Sequence, residues 1–299
     1  MKVYLGVPRG FCAGVVRAID LVELALAKFG PPIYVKHQIV HNPHVVTDLE
    51  SRGAITVEEV SQIPEGARVV FSAHGSPPED FKIARERNLE VIDATCPLVV
   101  KVHNEAKKYA KEGRRVILVG HKGHQEVKGT MGQVEMSLID DRDSFRSPNW
   151  NYQTPVTVLT QTTLSVDDTK RSIDNIKNSF DDVLVRNDLC YATTNRQKAV
   201  KEIAQLVDIF LIIGAENSSN CNRLREVAEG MGVESHLING LDELDQSWLD
   251  GVRNLGITSG ASTPDALVQE IIDFVEPEEV IPMGGAEENI IFTLPRKFR

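Results

Sequence analysis

The chain has 299 residues, of which 41% are hydrophobic and 25% charged; it is long enough for two or three compact units with buried cores, which excludes a disordered or fibrous protein. The formal net charge is -10 and no run of Lys and Arg forms a basic stripe, so nucleic acid is not an expected partner. The longest apolar run, 209–213, is far too short to span a membrane, and the first residues lack the pattern of a signal peptide. We therefore expect a soluble cytoplasmic protein with no membrane partner.

A short β-rich run, a polar tip and a helix-like stretch recur along the chain, which is typical of parallel βα units. In the first third, KVYLGV precedes PRGFCAG, PIYVK precedes HQIVHNPH, and ARVVFSA precedes HGS. In the second third, LEVIDA precedes TCPLVVKVH, RRVILVG precedes GHKGHQE, and VTVLTQ precedes TT. In the last third, DVLVR precedes NDLCYATTNRQ, VDIFLIIG precedes AENSSN, and NLGITSG precedes AS. The chain is therefore predicted to contain a threefold repeat with three tips in each third.

The repeat predicts an α/β protein made of three small, pseudo-symmetric domains over residues 1–94, 95–188 and 189–278. The tail, 279–299, contains the strand-like run NIIFTLP, which we expect to return to the edge of one sheet. Ligands of open parallel sheets bind outside the carboxyl ends of the strands, where helix N-termini present unpaired N–H groups. We therefore expect the nine tips to face one central site.

Three of the four cysteines, Cys12, Cys96 and Cys190, occupy the first tip of each repeat, whereas Cys221 ends a second tip. Disulfides are disfavoured in a reducing cytosol, and helix N-termini stabilise thiolates, so this pattern favours metal ligation or nucleophilic chemistry over core packing. Thiolates select zinc, copper(I) or iron-sulfur clusters, and a zinc site with three Cys and one His stays possible, although structural zinc ligands usually come in close pairs. A cluster held by only three cysteines would leave one iron open to a substrate, which favours catalysis over electron carriage.

The other tips carry neutral polar side chains that together are typical of an anion site without Lys or Arg, suited to a diphosphate. These residues are His41, His74, Ser218, Ser219, Asn220 and Ser262. A single His is more often structural, and each Ser or Asn is equally consistent with an ordinary helix N-cap. Two residues after His124, Glu126 either balances a helix dipole or, beside a cluster in a closed cavity, donates a proton, and Thr162 lies at a further tip. No dinucleotide-binding or P-loop motif is found in the sequence.

These motifs together resemble the 4-hydroxy-3-methylbut-2-enyl diphosphate reductase family, over residues 1 to about 295. The motifs that carry the resemblance are PRGFCAG, SAHG, DATCPLVVKVH, GHKGHQEVKGTMGQ, TQTTLSVDDT, CYATTNRQ, NSSN and TSGAS. The resemblance implies a trefoil of three α/β domains around a central 4Fe-4S cluster, with Cys12, Cys96 and Cys190 as its ligands. It also implies the reductive removal of the substrate's allylic hydroxyl, which gives isopentenyl and dimethylallyl diphosphates and water, with electrons from a ferredoxin or flavodoxin.

The resemblance also assigns a role to each tip residue. His41, His74, Ser218, Ser219, Asn220 and Ser262 would bind the diphosphate. His124, Thr162 and Glu126 would surround the hydroxyl, with Glu126 as the proton donor. Two positions depart from the family pattern: Gln125 stands where Pro is usual, and Cys221 stands where Ser is usual. We expect Gln125 to be harmless and Cys221 not to bind the cluster.

Two other functions fit the same cysteine pattern. A cluster-dependent hydro-lyase would use the open iron as a Lewis acid without net electron transfer, so it would consume no reductant. An iron-sulfur sensor or cluster carrier would need neither Glu126 nor the diphosphate site, and specific binding of a diphosphate would count against it.

Overall fold

The computed structural model describes residues 1–298, in which strands and helices alternate along the chain. The strands are β1 (Lys2–Val7), β2 (Ile33–Lys36), β3 (Ala54–Val57), β4 (Arg68–Phe71), β5 (Glu90–Asp93), β6 (Arg115–Val119), β7 (Met136–Ile139), β8 (Val156–Thr160), β9 (Val183–Val185), β10 (Ile209–Ile213), β11 (Glu234–Ile238), β12 (Asn254–Ser259) and β13 (Glu279–Gly284). The helices are α1 (Ala13–Phe29), α2 (Pro43–Ser51), α3 (Pro78–Glu86), α4 (Pro97–Lys111), α5 (Gln125–Met131), α6 (Val166–Ser179), α7 (Tyr191–Ala204), α8 (Ser219–Gly230) and α9 (Asp265–Val275).

The strands form three sheets, and the paired strands are parallel. The five-stranded sheet has the order β11-β10-β12-β1-β13, and the two four-stranded sheets have the orders β3-β2-β4-β5 and β7-β6-β8-β9. Parallel strands need helical crossovers between them, and the helices after the strands supply these. The predicted α/β class with three parallel sheets is confirmed.

The central strands β10 and β12 of the five-stranded sheet are buried on both faces, which explains why β10 reads as the unbroken apolar run IFLII. On one face, Leu211 and Ile257 pack with Ile271 of α9. On the other face, Phe210 packs with Leu224 of α8 and with side chains of α7. At Gly256 in β12 an added Cβ would lie 2.9 Å from the Phe210 ring, so only glycine leaves room for this ring.

By their internal contacts the residues divide into two compact units. The first unit consists of Met1–Val15, His41–Val45 and Cys190–Ile291, and it contains the five-stranded sheet. The second unit consists of Val16–Val40, Val46–Leu189 and 292–298, and it contains the two four-stranded sheets. The strand β1 pairs with β12 and β13, so the N-terminal strand completes the sheet of the last third. Domain boundaries after residues 94, 188 and 278 stay a prediction.

The tail joins a sheet through a different segment from the one expected. The edge strand is β13, which pairs with β1 along its whole length, whereas the prediction of a strand in NIIFTLP, 289–295, is wrong. The side chain of Ile291 is 91% exposed, so this apolar run does not pack as a sheet strand would. Within residues 1–298, the helices are all too short or too polar to cross a bilayer.

Every predicted tip lies after the expected strand and at or near the start of the next helix. For example, β5 is followed by Cys96 and then α4, and β10 is followed by Ser218 and then α8. This arrangement places each candidate side chain where a sheet ends and backbone N–H groups of a helix begin.

Candidate active site

In the first unit, Cys12 and Cys190 are half-buried thiols at the starts of α1 and α7. Cys190 is the N-cap of α7, and its sulfur lies 3.4 Å from the Thr193 backbone nitrogen that donates to it. The backbone N–H of Ala13 donates to the Tyr191 hydroxyl at 3.2 Å, which links the residue after Cys12 to the residue after Cys190. Burial, with a smaller contribution from the Cys12 thiolate, raises the pKa of Tyr191 to about 12, so this hydroxyl stays a neutral phenol.

Most of the candidate anion-binding residues of the same unit, Ser218, Ser219, Asn220 and Ser262, are buried at or near the starts of helices, whereas His41 is half-buried. Ser218 caps α8 by accepting a hydrogen bond from the Cys221 N–H at 3.4 Å. Ser262 donates its hydroxyl to the His41 carbonyl oxygen at 3.0 Å, which joins two of the predicted tips. Asn220 is 6% exposed, and neither its amide oxygen nor its amide nitrogen has a hydrogen-bond partner among residues 1–298. A buried amide without partners is costly, so Asn220 is suited to bind a polar ligand.

Cys221 differs from the other three cysteines in its surroundings. It is fully buried in the core cluster that contains Phe210 and Leu224. Its sulfur lies so close to the backbone of Gly214 and Gly260 that a side chain at either glycine would overlap it. Burial raises the pKa of the Cys221 thiol, which makes it a poorer metal ligand. These contacts support the expectation that Cys221 is a packing residue.

In the second unit, Cys96 is the half-buried N-cap of α4, with Pro97 at the first helical position. The N–H of Cys96 donates to the carbonyl oxygen of Ala73 at 3.0 Å, and the N–H of Ala73 donates to that of Ile39 at 3.1 Å. The loop that carries Cys96 is therefore fixed to the loop that carries His74.

Helix α5 packs closely on the loop after His74. An added Cβ at Gly129 in α5 would lie 2.8 Å from the Gly75 carbonyl oxygen, so the approach of the two backbones depends on this glycine. As a result, the ring of His124, the N-cap of α5, lies 6.1 Å from the ring of His74, centroid to centroid. On its other side, His74 lies 6.1 Å from the ring of His37. The structure thus brings the predicted residues His74 and His124 together.

Glu126 and Thr162 form the most deeply buried part of the second unit's candidate site. Glu126 is 4% exposed, and its carboxylate accepts hydrogen bonds from the Thr162 N–H at 2.6 Å and from the Thr162 hydroxyl at 2.9 Å. The N–H of Glu126 donates to Nδ1 of His124 at 3.2 Å. Burial raises the pKa of Glu126 to about 7, although the hydrogen bonds from Thr162 oppose this shift. A carboxyl that holds a proton near neutral pH is suited to act as a general acid.

Three further residues near the candidate cysteine, histidine and carboxyl groups were not predicted from the sequence: His37, Tyr191 and Arg196. His37 has a backbone φ of 62°, uncommon for residues other than Gly and Asn, and its Nδ1 lies 2.6 Å from a carboxylate oxygen of Glu58. The sequence signal for His37 was its place at the start of the His-rich tip HQIVHNPH. Tyr191 directly follows Cys190, and Arg196 is a fully buried charge within α7.

Another group of possible metal ligands consists of His121, Asp140 and Asp141. The Asp140 carboxylate accepts hydrogen bonds from the Arg142 guanidinium at 2.6 and 2.8 Å and from the Lys122 N–H at 2.8 Å. Although burial raises it, the pKa of Asp140 is held well below its usual range by these hydrogen bonds, chiefly those from Arg142. The Asp140 carboxylate is already paired, and the group contains no soft thiolate. The group of His121, Asp140 and Asp141 therefore does not suit an iron-sulfur cluster.

A parallel α/β fold whose strands lead to a buried, proton-holding carboxyl next to hydroxyl and imidazole groups is typical of enzymes and is suited to acid–base chemistry. Comparison with known proteins identifies the family within this class. The model of the LytB protein family matches residues 3–276, and the chain therefore belongs to that family. The resemblance found in the sequence is confirmed.

Named relatives cover the chain from end to end. It is 51% identical over 299 residues to 4-hydroxy-3-methylbut-2-enyl diphosphate reductase 1 of Rhodopseudomonas palustris, covering 98% of each protein. It is 47% identical over 310 residues to the reductase of that name from Acinetobacter baylyi, covering 100% of this chain and 98% of the relative. The solved structure of E-1-hydroxy-2-methyl-but-2-enyl-4-diphosphate reductase from Plasmodium falciparum matches with a TM-score of 0.95 at 38% identity, covering 99% of this chain and 96% of that one.

Replacing Glu126 with Gln is expected to remove a pH dependence of stability. The carboxyl keeps its proton to about pH 7 in the native state but loses it near pH 4.5 when unfolded, so the native state binds more protons between these values. The free energy of unfolding of the parent protein should therefore fall as the pH rises through this window, by about 3 kcal/mol relative to Glu126→Gln. Urea unfolding of both proteins at about pH 5 and about pH 7.5 measures the difference. The same pH dependence in the two proteins would contradict the burial of an ionisable carboxyl.

Proposed function

We propose that this protein uses two electrons and two protons to remove the allylic hydroxyl of 4-hydroxy-3-methylbut-2-enyl diphosphate, giving isopentenyl or dimethylallyl diphosphate and water. The full-length relatives carry the name of this reductase. The observation that carries the proposal is the Glu126 carboxyl, whose raised pKa and two hydrogen bonds from Thr162 give the proton donor that this reaction needs.

We assign a 4Fe-4S cluster to the thiols of Cys12, Cys96 and Cys190. All three are half-buried thiols that lie at helix starts, where the helix dipole favours the thiolate form, and their soft sulfur donors suit such a cluster. When bound by three cysteines, a 4Fe-4S cluster offers an open iron to the substrate hydroxyl and accepts electrons singly. Cys221 has no place in this ligand set because it is buried in the apolar core.

Glu126 supplies the proton that leaves with the hydroxyl as water. The Thr162 hydroxyl donates to one carboxylate oxygen and the Thr162 N–H to the other, so the carboxyl group is held in one orientation. The N–H of Glu126 donates to His124 Nδ1, which leaves Nε2 of that ring as the position for a proton in the neutral form. We assign His124 and Thr162 the role of surrounding the hydroxyl.

We assign the diphosphate to neutral donors at helix starts. These are His41, His74, Ser218, Ser219, Asn220 and Ser262. The strongest support comes from Asn220, because its buried amide has no partner within residues 1–298 and a phosphate oxygen would accept from its N–H groups. Helix N-termini add backbone N–H groups and a positive field, so the site needs no Lys or Arg.

We propose that a ferredoxin or flavodoxin supplies the electrons and that the protein acts in the cytoplasm, where thiols stay reduced. Anaerobic assay with a reduced donor tests the reaction class, and reductant should be consumed in step with product. Product formed without consumption of reductant would show a hydro-lyase instead. Failure to bind the diphosphate substrate would favour a sensor or cluster carrier.

Single substitution of Cys12, Cys96 or Cys190 by Ser should strip or destabilise the cluster, since each thiolate is one of only three protein ligands. Turnover should collapse in all three variants. Cys221→Ser is the matched control, with the same atom change at a buried packing position, and it should keep iron content, visible spectrum and turnover near those of the parent. Iron and sulfide analysis after anaerobic purification checks this. Full iron content in any of the three variants, or cluster loss in Cys221→Ser, would refute the ligand assignment.

Glu126→Gln should leave substrate binding nearly unchanged and reduce turnover about a hundredfold to ten-thousandfold, the usual contribution of a general acid. The amide keeps the shape of the carboxyl and can accept a hydrogen bond from Thr162, but it cannot deliver a proton. Anaerobic turnover at saturating substrate and reductant, together with the substrate affinity, separates these effects. If the variant turns over at the parent rate, the proton comes from another group.

A further inference from the structure

The side chain of Arg196 lies inside the first unit with no exposed surface. Its Nη1 donates to the Ala192 carbonyl oxygen at 3.1 Å and to the two carboxylate oxygens of Glu288 at 2.9 and 3.2 Å. Its Nη2 donates to the Gly10 carbonyl oxygen at 2.8 Å. A buried guanidinium is costly unless it is paired and hydrogen-bonded, so these partners are what allow a charge at this position.

The backbone partners of Arg196 belong to the two cysteine loops of the first unit. Gly10 lies two residues before Cys12, and Ala192 lies two residues after Cys190. Gly10 has a φ of 70°, which favours glycine, and its N–H donates to the Ser259 hydroxyl at 2.9 Å. One guanidinium therefore connects the turn before Cys12 with the first turn of the helix that Cys190 caps.

Glu288 supplies the countercharge from the C-terminal segment. Its side chain is only 12% exposed, and it also accepts a hydrogen bond from the Asn195 amide at 3.2 Å. The match to the family model ends at residue 276, so Glu288 lies outside the matched residues. The segment after β13 thus reaches back to α7 through a buried ion pair.

We propose that Arg196 and Glu288 form a clasp by which the C-terminal segment holds Cys12 and Cys190 in position to bind metal. Both are positioning residues, since they act through the loops that carry the thiols. Without the Glu288 carboxylate, the buried guanidinium loses its countercharge and either reorients or draws in water, and the Gly10 carbonyl loses a fixed donor. The proposal rests on the assignment of Cys12 and Cys190 as cluster ligands.

The test compares Glu288→Ala and Glu288→Gln with Glu287→Ala, a control at the exposed neighbouring carboxylate. Two measurements are made on each anaerobically purified full-length protein: the rate of iron loss to a chelator, and hydrogen exchange at the backbone amides of Cys12 and Ala13. These amides donate to Ala261 and Tyr191, so their exchange reports the position of the Cys12 loop. Glu288→Ala should raise both rates about tenfold or more, Glu288→Gln less, and Glu287→Ala should not change them.

A general loss of stability is separated from loss of position by Ile271→Ala, which opens a cavity in the core cluster of the same unit that contains no residue of α7. If iron loss and exchange in Glu288→Ala match those in an equally destabilised Ile271→Ala, Arg196 and Glu288 are ordinary stabilising residues and the proposal is wrong. Parent-like rates in Glu288→Ala would also overturn it. A parent protein that contains no iron would instead overturn the proposed function, so the two failures are distinguishable.

Discussion

Parallel pairing of the strands is the constraint on which the positions of all the candidate residues depend. In a parallel sheet every strand runs in the same direction, so the loops after its strands emerge at one edge, each leading into a crossover helix. In the five-stranded sheet this places Cys12 after β1, Ser218 after β10 and Ser262 after β12, each at or near a helix start. The helices offer N–H groups and a positive field, which stabilise thiolates and anions. Neutral donors and helix N-termini at these loops can therefore hold negative charge.

Two opposing effects give Glu126 its chemistry. Burial disfavours the carboxylate, whereas hydrogen bonds from the N–H and hydroxyl of Thr162 favour it. Desolvation dominates, and the resulting pKa of about 7 keeps the carboxyl near its midpoint at neutral pH. The same group costs stability as the pH rises, because its ionised form is buried. Stability is thus reduced at the proposed proton donor.

Local patterns were enough to predict the strand ends and the helix starts, because these depend on hydrophobic runs and polar tips close in sequence. The fold class was predicted for the same reason. The grouping of His124, Glu126 and Thr162 was implied by the family resemblance instead, since Thr162 lies 36 positions from Glu126. The strand expected in NIIFTLP is not found, since this apolar run has the composition of a strand, but the edge beside β1 is filled by β13. The contact between Arg196 and Glu288 joins residues 92 positions apart, and no local pattern carries such a pairing. Asn220 was found by its place in the repeat, whereas its lack of a partner required the structure.

The central claim is that three cysteines of an α/β reductase hold an iron-sulfur cluster with an open iron. The most direct measurement is the number of iron and sulfide ions per chain after strictly anaerobic purification, with zinc measured in the same sample. The account predicts about four iron and about four sulfide ions per chain and no stoichiometric zinc. A protein that contains zinc alone, or iron without sulfide, would contradict it.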